Sequence, residues 1–197
     1  LGRLVDAKEA LGWAARSPQF KAVALVQSAE IALLEKDYTG AAESAYKALV
    51  ADDLNVGALE VLAVACRLSA RRTEFNRVLG WLNDLDPLDH LIRFERYLLS
   101  RAPEDLEACR ALVRNELPHE TWLEMAMFYL RLGLLDDALA AVKAAPSHAT
   151  VQYWLAYLLR DKSPEESAAT LEKASATSPF LVFPFREEEI AVFSWAL

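Results

Sequence analysis

The chain has 197 residues, 54% of them hydrophobic, and a formal net charge of −8. That is enough apolar material for a continuous core, in one elongated domain or two small ones. Charged residues make up 25% of the chain, the ordinary share for a folded protein. The acidic balance, with no run of Lys and Arg, excludes phosphate backbones and anionic membranes as expected partners. No apolar run approaches the ~18 residues needed to span a bilayer.

The chain opens at Leu1 already in helical periodicity, so it is expected to be a piece of a longer protein. A first helix is predicted at about 3–16, ending at Ser17-Pro18. Five helix pairs follow, separated by Asp53, Asp86-Pro87, Leu117-Pro118 and Pro146-Ser147, with Ala102-Pro103 and Ser163-Pro164 inside pairs. The first helices of the pairs fall at about 20–36, 55–70, 88–101, 119–133 and 148–161. Their partners fall at about 38–51, 73–84, 104–115, 135–145 and 165–177. In "WLEMAMFYLRLG", Trp122, Met125, Tyr129 and Leu132 recur at three- and four-residue steps, the period of a helix with one buried face. After the connector "FLVFPF", a last helix is predicted at about 186–197, with three glutamates in its first turn and Ile190, Phe193 and Leu197 as its apolar stripe. No segment alternates with the period of a strand. The predicted fold class is all-α.

The spacing of these units carries a resemblance. Asp52 and Asp86 close successive pairs 34 residues apart, and small residues stand where paired helices must approach closely. Ala29, Tyr38, Ala41 and Ala48 in the first pair, Ala63, Leu82 and Pro87 in the second, and Trp122, Ala126, Tyr129, Gly133, Ala138 and Ala145 in the fourth match the tetratricopeptide repeat (TPR) pattern. Leu171, Ala174 and Pro179 keep it in the fifth. Phe75 replaces an expected alanine, Asp53 replaces proline, and the third pair has helical spacing without the signature. The chain thus resembles a TPR-like solenoid, an α-α superhelix of about five helical hairpins. Residues 1–18 would end a preceding repeat, 19–179 would form the hairpins, and 180–197 would form a connector and capping helix, all in a single domain. The stretch "SPFLVFPFREEE" further resembles the closing segment of TPR tails on large bacterial proteins. Those tails follow a β-rich domain of unknown function linked to carbohydrate metabolism.

The resemblance implies a concave groove lined by the first helix of each pair, where basic residues hold a partner's carboxylates. Arg67, Arg101, Arg131 and Arg160 end successive first helices and are the candidates for that role. The competing reading is that each offsets a helix dipole and its open carbonyls, worth about 0.3–1 kcal/mol. Glu60, Glu95 and Glu124 would share the groove and pair with the arginines internally. Tyr153 and Tyr157, one turn apart, are the candidates for aromatic contact in the groove, whereas Trp13, Trp81, Trp122, Trp154 and Trp195 read mostly as core.

Other chemistry is not foreseen. His90, His119 and His148 each open a first helix, so their even spacing reports the repeat. Adjacent helices sit about 8–10 Å apart, too far for one shared metal with ligands at about 2 Å, and the three are expected at the surface or as caps. Cys66 and Cys109 lie at apolar helical positions and read as buried free thiols. With only 6 glycines there is no phosphate loop, and no nucleophile elbow or His-Glu-x-x-His pattern is present. The expectation is a non-catalytic scaffold, with no cofactor and no metal, that binds a protein or peptide segment. The alternative is a structural or oligomerisation tail of a larger, carbohydrate-active bacterial enzyme, packing against another domain of the parent chain or self-associating.

Overall fold

A computed structural model describes residues 2–197. Among them are twelve helices and no strand. The chain divides into two compact units. One comprises residues 1–112 with 131–133, and the other residues 113–130 with 134–197. The division falls just after the third helix pair, the one without a repeat signature.

The first unit contains α1 (Gly2–Ala14), α2 (Lys21–Leu34), α3 (Tyr38–Ala51), α4 (Val56–Leu68), α5 (Arg72–Leu85), α6 (His90–Ser100) and α7 (Pro103–Leu112). Consecutive helices from α1 to α7 pack as neighbours, and α4 also packs against both α2 and α6. Each hairpin thus stacks on the next through its first helix, as expected of a helical repeat. Alanines make the approach close: Ala29, Ala41, Ala48 and Ala63 are wholly buried. Phe75, at a position where the repeat pattern has alanine, is buried as well.

The second unit contains α8 (Pro118–Arg131) except its last residue, Arg131, which belongs to the first unit, together with α9 (Leu135–Ala144), α10 (Ala149–Leu159), α11 (Pro164–Ala176) and α12 (Glu187–Ala196). Here α10 is central, packing against α9, α11 and α12. Trp122, Tyr129 and Trp154 are its largest buried side chains, with Ala126, Ala138 and Ala174 between helices.

Local chemistry explains where the helices begin and turn. Asp37, Asn55 and Asp89 accept hydrogen bonds from backbone N–H groups in the first turns of α3, α4 and α6. Pro103, Pro118 and Pro164 open α7, α8 and α11, where a missing N–H costs nothing. Lys36, Ala70, Arg101 and Gly133 follow α2, α4, α6 and α8 with left-handed φ of 63°, 58°, 57° and 74°. At three of these turns the next residue's N–H reaches back to Ala32, Cys66 or Tyr129, closing the helix end.

Two expectations are corrected. Trp13, Trp81 and Trp195 are exposed rather than core, while Trp122 and Trp154 are buried. Trp13 instead lies beneath the Arg16 guanidinium, 4.0 Å from the ring centre. In α12, Ile190 and Leu197 face outward, and the packed residues are Val192 and Phe193. Of the predicted stripe Phe193 packs as expected, whereas Val192 takes the buried place given to Ile190 and Leu197. Both cysteines are buried and free, and burial pushes each thiol up to about 12.

Candidate functional site

The four arginines have different settings: the Arg67 side chain is buried, Arg160 is half-buried, and Arg101 and Arg131 are exposed. Arg67 makes a bidentate pair with Glu95, Nε to Oε2 at 2.7 Å and Nη2 to Oε1 at 3.1 Å. The two side chains are 7% and 0% exposed, so this pair lies within the α4/α6 packing and not on a surface. Arg101 takes the left-handed turn after α6, its guanidinium 5.7 Å from the Tyr97 ring. Arg131 pairs with Glu30 at 3.2 Å beside a cavity of about 320 Å³, which is also lined by Val23, Val26, Gln27 and Asn55. Near it Glu60 is raised to about 7, chiefly by burial and then by Asp89, against the pull of Arg131. Arg160 donates to the Tyr157 carbonyl at 2.6 Å and lies 3.8 Å over the Tyr157 ring, with Asp161 3.4 Å away. That is the arrangement of a cation offsetting a helix C-terminus.

The two tyrosines have a different setting. Tyr153 and Tyr157 lie on one side of α10 and meet α12: Tyr153 against Phe193 with centroids 5.3 Å apart, and Tyr157 against Trp195 at 5.8 Å. Tyr157 and Arg160 also line a cavity of about 460 Å³ with Leu130, Leu135, Leu158 and Lys162.

Next to this contact is a polar cluster built from α8, the start of α10 and the start of α12. Arg186 pairs with Glu120, and its second Nη reaches Glu124 at 3.1 Å. Glu120 and Glu124 are one turn apart on α8, so a single guanidinium bridges both. Glu189, fully buried, accepts from the backbone N–H groups of Phe185 and Arg186 at 2.9 and 3.3 Å, fixing the entry to α12.

The histidines sit at the edge of the same cluster. His119 is buried and stacks on His148, centroids 3.7 Å apart and planes 13° apart, which corrects the expectation that the two stay separate and that His119 is a surface or cap residue, while His148 is a cap as expected. The axial spacing limits backbones. Side chains at the ends of neighbouring helices reach across it. His148 caps α10 by accepting from Thr150 N–H on Nδ1, so its Nε2 carries the hydrogen that meets the Phe180 carbonyl at 3.2 Å. His119 Nε2 lies 3.1 Å from Glu120. Burial first, then His148, holds His119 below its ordinary value, against the opposing pull of Glu120. Among the described residues no group of three or more His, Cys, Asp or Glu side chains is arranged to hold a metal ion.

Sequence reasoning missed Arg186, Glu120 and the histidine stack. Glu120 and Arg186 are 66 residues apart, so no local spacing brings them together. Comparison of the chain with family models and with curated proteins finds no match. No described helix is long and apolar enough to cross a membrane.

Proposed function

We propose that this chain is a non-catalytic interaction module of TPR-like design, which takes a peptide or protein segment on the face made by the first helices of its hairpins. The observation that carries the reading is α12. It rests across α8 and α10 through an arginine bridging two glutamates and through two aromatic pairs. A helix lying on helices through a few anchors is a recurring mode of peptide recognition.

The test is a display selection of helical peptides on the full chain, with binders mapped by backbone chemical shifts. Binders that shift residues of α8 and α10 support the module; recovery of none, or of binders mapping elsewhere, removes it. A second reading is favoured by the connector, where Phe180, Phe183 and Phe185 are all exposed. They suit a structural tail that packs on another domain of a longer, carbohydrate-active chain or on a second copy. Light scattering of the chain and of a Phe183→Ser/Phe185→Ser variant separates self-association from the monomeric module.

A further inference from the structure

We infer that the α8/α10 face binds a partner helix bearing a basic side chain at its start and aromatic side chains about two turns on, and that α12 is its resident intramolecular competitor. This rests on the interaction-module reading above and names the partner's chemistry.

The face itself dictates that chemistry. Glu120 and Glu124 supply paired carboxylates on α8, while Tyr153 and Tyr157 supply aromatic surface on α10. Its complement is a cation with aromatic rings, the reverse of the acidic peptide that an arginine clamp would take. α12 meets this description: Arg186 engages the glutamates, and Phe193, two turns later, engages Tyr153.

α12 is also lightly held. It has 10 residues, a length at which an isolated helix is marginal. Only Glu189 and Val192 are buried, and Ile190 is 61% exposed. The other buried residue, Glu189, is held by the backbone N–H groups of Phe185 and Arg186 and by the Arg186 guanidinium, all within its own segment, so Val192 is the one buried side chain of the helix that is not tied up locally. The segment preceding α12, residues 177–186, is not helical, so the helix lifts away without disturbing α10 or α11. A partner with the same anchors and a wider apolar face displaces it.

The probe is a fluorescent synthetic peptide of residues 183–197, titrated by anisotropy against three forms of the full chain: wild type, Phe193→Ala/Trp195→Ala, and Phe193→Ala/Trp195→Ala with Glu124→Arg added. Glu124 is 64% exposed and pairs with Arg186 of the resident helix, so its reversal is made in the chain where that helix is already loosened. If α12 covers the face in more than nine tenths of molecules, loosening it tightens peptide binding about tenfold or more. In the loosened chain Glu124→Arg weakens the wild-type peptide and favours one carrying glutamate in place of the arginine. Equal binding by wild type and the loosened chain overturns the competitor role. Indifference to Glu124→Arg and to the peptide's charge overturns the partner chemistry. Should the loosened chain lose helical signal, Arg186→Gln provides the same comparison. If this peptide fails while selected peptides still map to α8 and α10, the inference falls and the module stands; if both fail, the module falls too.

Discussion

Replacing Arg67 by alanine should destabilise the first unit by about 3–5 kcal/mol, the usual cost of removing one partner from a buried ion pair. The magnitude follows from geometry. The guanidinium makes two hydrogen bonds to Glu95, at 2.7 and 3.1 Å, and the carboxylate it leaves behind is wholly buried. An exposed arginine that only offsets a helix end would cost about 0.3–1 kcal/mol instead. The two cases differ enough for a urea titration to decide, since a slope of about 1–3 kcal/mol per M turns the larger value into a midpoint drop of 1 M or more. Circular dichroism follows the transition, and amide exchange in α4 and α6 assigns the loss to this unit. The double change Arg67→Met/Glu95→Leu should recover most of the loss, because apolar residues of similar size replace a buried pair at little cost. A single variant within about 1 kcal/mol of wild type, or a double variant no better than the single, would refute the reasoning.

Two further outcomes are expected. Ala70→Gly should stabilise the chain by about 1 kcal/mol, since Ala70 is exposed in a left-handed turn that only glycine adopts without strain, whereas Gly133→Ala at φ 74° should do the opposite; thermal melts that move in the same direction for both would contradict this. Acidification should weaken the second unit. His119 is held below its ordinary 6.5 in the native state, so the unfolded chain binds the proton first, and stability is fully present above about 6.5 and falls as pH drops below it. His119→Gln should flatten that part of the profile, and melts showing the same slope for variant and wild type would disprove the assignment.

The helix pattern was written in the chain. Proline placement, acidic caps and three- to four-residue apolar steps predict twelve helices, and the observed ends agree within about two residues at most boundaries. These signals are local, each set by backbone hydrogen bonding and one helix's own faces. Small residues such as Ala41 and Ala48 similarly announce a close helix partner before any partner is seen.

What the sequence could not determine is which side chains meet across distance. Arg67 reads as a helix-end cation, a groove ligand or an internal partner of a glutamate such as Glu95, and only the stacking of α6 on α4, which delivers the Glu95 carboxylate, decides for the last. Tyr153 and Tyr157 look available until α12 folds over them. His119 and His148 share a repeat position that implies separation, yet their rings touch because side chains span the gap between parallel helix ends. Local periodicity decided the helices and their pairing. Contacts between residues distant along the chain, which have no period to read, decided where the charges and rings were spent.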